Sequence, residues 1–212
     1  MKNLFNPDNP IMNFIGKLLD CFFLNILWVI TSIPIITAGA ATTALYYCTI
    51  KLAKDEPMAL FTDYFHSFKL NFIPATKLTV ILLIIGGVLG TDAYIFLHIK
   101  MPVLLWCIGM GLLALFTIFY TIVLLYVFVL LSHFDNSVKN MICNAFVVGI
   151  RFIFCTIIIA SIHFIVFFIT IKLFFPLLFL GMGFIAFLSS YFLKNIIFYI
   201  EESQNKRGRV NE

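Results

Sequence analysis

Five long runs of apolar residues, free or nearly free of charge, constrain the fold of this chain more than any other feature. They cover residues 21–36, 78–97, 102–131, 152–171 and 173–193. An α-helix needs about 20 mostly apolar residues to cross the hydrocarbon of a bilayer. Because lipid offers the backbone no hydrogen-bonding partner, such runs cross as helices. The sequence therefore predicts an all-α, polytopic transmembrane helix bundle with about five spans.

The composition of the chain also requires lipid as the solvent. Of the 212 residues, 62% are hydrophobic and 11% are charged, whereas soluble domains carry about 25% charged residues. The 26 phenylalanines exceed what a soluble core of this size could bury, but a lipid-facing helix surface accepts them. Soluble classes of protein are therefore excluded.

The segment between the first two runs predicts two short amphipathic helices. Pro34 and residues 37–39 are expected to end or bend the first helix. Apolar residues then recur at helical spacing, first at Ala41, Leu45, Cys48 and Leu52 and then at Phe61, Phe65, Phe68 and Phe72. The polar faces of the two helices carry Lys51, Lys54, Asp63, His66 and Lys69. The pair is therefore expected to lie on the cytoplasmic surface.

The distribution of basic residues predicts the orientation of the bundle. With five crossings, ten Lys and Arg residues share the side of the carboxyl terminus, and four lie on the other side, namely Lys2, Lys17, Lys100 and Lys172. Cytoplasmic loops carry the excess of Lys and Arg. The amino terminus is therefore expected outside and the carboxyl terminus in the cytoplasm. The first run is short and contains Asn25, so a helix that enters the bilayer and returns is the alternative.

The same arrangement predicts the domain organisation. Residues 1–200 are expected to form a single transmembrane helical domain, and residues 201–212 are expected to form a polar cytoplasmic tail. The basic residues are spread over short loops and ends, which is typical of membrane topology and does not predict a nucleic-acid partner. The sequence leaves the oligomeric state open.

No pattern typical of a catalytic, cofactor or metal site occurs in the sequence. A nucleophile elbow, a glycine-rich phosphate loop and an HExxH motif are all missing. The five cysteines have no spacing typical of a zinc site or a disulfide framework. The chain is therefore predicted to be neither an enzyme nor a cofactor or metal protein.

Two ionisable residues lie within the predicted spans, Asp92 in the second and His163 in the fourth. Such a group destabilises a span by a few kcal/mol or more unless it is paired or hydrated. Because the predicted depths differ by about one helical turn of ~5.4 Å, the two residues form a candidate intramembrane polar pair. The favoured alternative places Asp92 near the outer interface and bonds a neutral His163 to a carbonyl. Gly86 and Gly90 are expected to pack against a neighbouring helix of the bundle.

The segment between the third and fourth spans is the most distinctive polar stretch of the chain. Asp135 or Asn136 is expected to cap the helix that follows, and Asn144 and Arg151 are expected to brace it against neighbouring helix ends. Polar residues on connecting segments often carry recognition. The candidate partner-docking residues are therefore Phe65, Phe68, Lys69, His133, Asp135, Asn136, Asn144 and Arg151.

A set of short motifs runs in order along nearly the whole chain. The motifs are Gly16-Lys17, Trp28 with Pro34, Thr37-x-Gly39, Thr43-Ala44-Leu45-Tyr46, Phe65-x-x-Phe68-Lys69-x-Asn71-Phe72, His133-Phe134-Asp135-Asn136, Asn144-Ala145-Phe146 and Gly183-Phe184-Ile185-Ala186-Phe187-x-Ser189-Ser190-Tyr191. As an ordered set they resemble the bacterial YesL-like family, also called domain of unknown function 624. Family members often have an arginine before the Phe-Asp-Asn element. This chain has His133 there, so a role that needs a fixed positive charge is not expected at that position.

The resemblance implies a multi-pass protein of the bacterial plasma membrane without an established activity, often encoded among genes for carbohydrate uptake. The family supplies no catalytic residues. Our first hypothesis is a non-enzymatic accessory protein that docks a carbohydrate ABC-type import complex through residues 58–71 and 132–151. The alternative is a small-solute or proton-coupled transporter that uses Asp92 and His163. A membrane enzyme ranks third.

Overall fold

The fold consists of α-helices joined by short connections. The computed structural model describes residues 10–99, 102–173 and 177–210. Every regular element in those ranges is helical, and the α-helices are α1 (Pro10–Thr31), α2 (Ala38–Ala53), α3 (Leu60–Leu70), α4 (Phe72–His98), α5 (Val103–Leu131), α6 (Val138–Arg151), α7 (Ile153–Leu173) and α8 (Leu177–Val210). The predicted all-α fold is confirmed.

Five of the described helices are long and apolar enough to cross a bilayer. The candidate spans are Met12–Thr31, Phe72–His98, Val103–Leu131, Ile153–Thr170 and Gly181–Gln204. The chain is thus a multi-pass integral membrane protein, as predicted. The last helix extends further than predicted. The sequence predicts that the last span ends at residue 193, but α8 continues to Val210. Residues 201–210, the greater part of the predicted tail, are therefore helical.

The first helix ends before Pro34, and the chain then turns back. Proline has no N–H to donate and disfavours a helical residue before it, so α1 ends at Thr31. A single 3₁₀ turn, Ile35–Thr37, follows, and Ala38 already belongs to α2. The prediction that the first helix ends or bends in this region is confirmed, although Ala38 and Gly39, expected within the break, already belong to α2.

α1 and α2 form an antiparallel hairpin. Near the turn, Trp28 Nε1 donates a hydrogen bond to Thr42 Oγ1 at 3.1 Å, and at the open end Lys17 forms an ion pair with Asp55. The sequence predicts that Lys17 and the basic residues at the end of α2 lie on opposite sides of the membrane, whereas the structure places Lys17 next to that end of α2. The arrangement agrees with the alternative of a helix that enters the bilayer and returns.

α2 lies inside the bundle, which corrects the prediction of a surface helix. Most of its residues are buried, because Gly39 and the alanines that follow let neighbouring helices approach closely. A Cβ atom at Gly39 would clash with Thr79 and would lie 3.0 Å from the carbonyl oxygen of Ala75, both in α4. An amphipathic pattern alone does not distinguish the surface of a membrane bundle from its interior.

Polar contacts join the hairpin to α8. Asn25 Oδ1 accepts a hydrogen bond from the Gly183 N–H at 2.7 Å. Ser190 Oγ donates to Thr49 Oγ1 at 2.9 Å, and Lys194 Nζ donates to the carbonyl oxygen of Ala53 at 2.8 Å. The two α2 contacts advance together along both chains, so α2 and α8 run parallel. Hydrogen bonds of this kind join helices where lipid removes the hydrophobic driving force between them.

The two glycines of the α4 motif differ in their surroundings. Gly86 packs against α5, where a Cβ atom would lie 2.8 Å from the Tyr120 hydroxyl oxygen. That hydroxyl donates to the Leu82 carbonyl oxygen at 3.2 Å. The surroundings of Gly90 are open. Packing within the bundle is thus confirmed for Gly86 and is wrong for Gly90.

Candidate functional site

A cleft between α6 and the last part of α8 contains five of the predicted docking residues. His133, Asp135, Asn136, Asn144 and Arg151 all line it, and its volume is about 480 Å³. The apolar side chains of the cleft include Leu130, Met141, Val148 and Ile200. We call this feature the α6–α8 cleft. It lies where α5 ends and α6 begins, because the turn at residues 132–137 reverses the chain.

His133 is fixed at the end of α5. Its Nδ1 lies 2.7 Å from Ser132 Oγ, and its ring packs against Tyr47 of α2 at a centroid distance of 5.9 Å. Burial, together with the nearby charge of Lys54, lowers the pKa of His133 to about 4. Because this pKa lies well below 7, His133 is neutral at neutral pH. It supplies no fixed positive charge where family members often carry arginine.

The cap of α6 differs from the prediction. The N-cap residue is Ser137, whose Oγ accepts from the Asn140 N–H at 3.4 Å. Asn136 lies one residue earlier, where its Oδ1 accepts from the Ser137 N–H at 2.9 Å and from Asn140 Nδ2 at 3.1 Å. Asn136 therefore stabilises the turn that leads into the cap. Asp135 makes no hydrogen bond or ion pair with another described residue, so its carboxylate is available in the cleft.

Arg151 braces α6 against α8, as predicted, through Tyr199. Its Nη2 donates to the Tyr199 hydroxyl, and its guanidinium lies 4.8 Å from the centroid of that ring. Phe152 packs edge-on against the same ring at 5.7 Å. Arg151 has no carboxylate partner among the residues that the structure describes. It is exposed, so the charge of the guanidinium faces the open side of the cleft.

The contribution of α8 to this site is absent from the sequence prediction. Tyr199, Ser203 and Gln204 line the wall opposite α6, and they fall where the sequence predicts the end of the last span and the start of a tail. Tyr199 and Ser203 are four residues apart, which places them on one face of a helix. That periodicity is the signal in the sequence that could have included them.

The remaining predicted docking residues belong to α3, which is amphipathic as predicted. Phe65 and Lys69 are exposed and border a shallow depression together with Phe61. Phe68 is half-buried and stacks on Tyr64 at a centroid distance of 6.5 Å. Phe68 is therefore mainly a packing residue. This depression on α3 and the α6–α8 cleft share no lining residue.

One family model matches the region of the chain that contains the hairpin. The model of the family described as "Protein of unknown function, DUF624" matches residues 21–93. The match confirms the resemblance. The DUF624 segment covers the second half of α1, all of α2 and α3 and most of α4. It therefore includes the depression on α3 and ends before the α6–α8 cleft. Comparisons with curated proteins and with solved structures gave no match.

Of the candidate intramembrane pair, Asp92 and His163, only Asp92 lies within the DUF624 match. Asp92 lies at the end of the matched segment in α4, and His163 lies outside it in α7. His163 Nδ1 is 2.8 Å from the Ile159 carbonyl oxygen of its own helix, the carbonyl contact that the structural alternative predicts. No hydrogen bond or ion pair between described residues joins Asp92 to His163.

Proposed function

We propose that this protein is a non-enzymatic accessory subunit that docks a carbohydrate ABC-type import complex through the α6–α8 cleft. The observation that carries the proposal is the convergence of five predicted docking residues on one cleft. The carbohydrate connection comes from the family resemblance.

The chemistry of the cleft supports recognition of a protein segment. The Arg151 guanidinium and the Asp135 carboxylate lack partners of opposite charge among the described residues. Val147, which is 59% exposed, adds apolar surface on α6. A partner segment that covers such a surface gains apolar burial and complementary charge contacts together.

The distribution of charge supports a cytoplasmic location for the cleft, within the bacterial plasma membrane that the family resemblance implies. Lys54 approaches His133 closely enough to lower its pKa, and Asp55 next to it pairs with Lys17. Lys17 therefore joins the cytoplasmic set of basic residues, which makes the excess of Lys and Arg on that side larger. The resulting proposal places the start of α1 in the cytoplasm, in contrast to the outside amino terminus expected from five simple crossings.

Photo-crosslinking in cells tests the docking proposal. A photoreactive amino acid at Asn144, which is exposed in the cleft, is expected to yield an adduct with a permease or ATPase subunit of a carbohydrate importer. The same amino acid at Leu112, which is 51% exposed on α5, provides a lipid-facing control. Adducts at Leu112 alone would contradict the proposal.

Substitution of Arg151 tests the role of charge in docking. Arg151→Ala is expected to reduce importer subunits recovered after mild detergent extraction by about tenfold or more, because hydrogen bonds to charged groups contribute about 1.5–3 kcal/mol. Lys139→Ala is the matched control, since Lys139 is an exposed cation of the same helix outside the cleft. Equal recovery with the two variants, or no importer subunit with the unaltered protein, counts against docking through the cleft.

A further inference from the structure

The exposed side of α3 combines aromatic and basic residues. Phe61 is 59% exposed and Phe65 is 39% exposed. His66 and Lys69 of the same helix are also exposed. Lys77, in the second turn of α4, is exposed as well. We call these five residues the α3 face. Large apolar patches of this kind are unfavourable in water, so the α3 face requires a partner that accepts both rings and cations.

The length of α4 gives the depth of this face in the bilayer. Twenty residues separate Lys77 from His98, and Asp92 is the charged residue among them. At 1.5 Å per residue they extend about 30 Å, which matches the hydrocarbon thickness of a bilayer. Lys77 therefore marks the edge of the hydrocarbon. Because α3 directly precedes this edge and packs on α2, it lies at the level of the lipid headgroups.

The opposite side of α3 packs against other helices of the same chain. Tyr64 is buried, and its hydroxyl is 2.7 Å from Thr31 Oγ1. Lys51 Nζ lies 2.7 Å from Asp63 Oδ2, and this hydrogen bond raises the pKa of Lys51. The one carboxylate of α3 is thus neutralised within the protein. The cations that remain on the α3 face, Lys69 and Lys77, have no ion-pair partner among the described residues.

We propose that the α3 face binds the headgroup of an anionic phospholipid. The rings of Phe61 and Phe65 lie beside the first carbons of the acyl chains, and Lys69 contacts the headgroup phosphate. Basic amphipathic helices with phenylalanine on the apolar side bind the membrane interface in this way. The proposal does not depend on the docking function of the α6–α8 cleft, because the two surfaces share no residue.

Lipid analysis of the purified full-length protein tests the proposal. The protein is placed in nanodiscs of phosphatidylcholine with a minor fraction of phosphatidylglycerol, released into mild detergent, and examined by native mass spectrometry for bound lipid. The unaltered protein is expected to be enriched in phosphatidylglycerol. Lys69→Gln is expected to lower that enrichment about fivefold, the equivalent of about 1 kcal/mol per basic residue near an anionic surface, and Lys69→Arg is expected to retain it.

Lys139→Gln is the matched control, because it removes an exposed cation from α6, and its enrichment is expected to equal that of the unaltered protein. Equal enrichment in Lys69→Gln, or an equal fall in Lys139→Gln, overturns the proposal. Loss of phosphatidylglycerol on addition of millimolar inorganic phosphate identifies a free-anion site and also overturns it. So does a photo-crosslink from Phe65 to a protein in place of lipid.

Discussion

At the scale of single residues, Gly39 sets the distance between α2 and α4. A side chain there would meet Thr79, the Phe128 ring and the Ala75 carbonyl oxygen, which lies 3.0 Å from the position of a Cβ atom. Since Ala75 contributes rigid helix backbone, the helices must separate to admit a methyl group. Gly39→Ala is therefore expected to destabilise the folded protein by about 1–3 kcal/mol, measured as a lower midpoint of thermal unfolding in detergent.

The control for this substitution is Gly87→Ala. Gly87 lies on the open side of α4, with no neighbouring side chain within 4 Å. Alanine there is expected to leave the midpoint unchanged or to raise it slightly, because alanine favours a helix by about 1 kcal/mol over glycine. A Gly39→Ala midpoint equal to that of Gly87→Ala would show that the α2–α4 contact is looser than the structure indicates.

The candidate site shows which residues could be predicted from the sequence. His133, Asp135, Asn136, Asn144 and Arg151 lie within one polar segment between apolar runs, so local composition was enough to select them. The other wall comes from α8, and Tyr199 is 48 positions from Arg151. Its contact with Arg151 depends on how α7 and α8 fold back on each other, which no local pattern specifies.

At the scale of helices, the number of spans followed from the apolar runs, but the path of α1 and α2 did not. Length and charge predict how a segment partitions into lipid. They do not specify whether a short helix such as α2 lies on a bundle or within it. That choice depends on close contacts such as Gly39 with α4 and Ser190 with Thr49.

The hairpin itself can be tested by cross-linking. Cysteines that replace Lys17 and Asp55 are expected to react together with a short bis-maleimide, because the two side chains form an ion pair across the open end of the hairpin. The background carries serine at the exposed Cys107 and Cys143. The control pair, Lys17→Cys with Lys172→Cys, joins α1 to the far end of α7. Cross-links in the control pair but not in the hairpin pair would contradict the fold of α1 and α2.

At the scale of the whole molecule, the hairpin of α1 and α2 determines how many times the chain is expected to cross the bilayer. Because Lys17 forms an ion pair with Asp55, we expect α1 and α2 to return the chain to the side where it started. We expect the four remaining candidate spans, in α4, α5, α7 and α8, to bring it back once more to the same side. Both the start of α1 and the end of α8 are therefore expected in the cytoplasm, together with the α6–α8 cleft.

This orientation predicts a definite pattern of chemical labelling. Single cysteines at Lys17 and at Lys206 are expected to resist a membrane-impermeant maleimide in intact cells and to react in inverted vesicles. A cysteine at Lys172, the exposed last-turn cation of α7, is expected to behave in the opposite way because one crossing separates it from Arg151. Labelling of Lys17→Cys in intact cells would instead require α1 to cross alone, which is incompatible with an ion pair between Lys17 and Asp55.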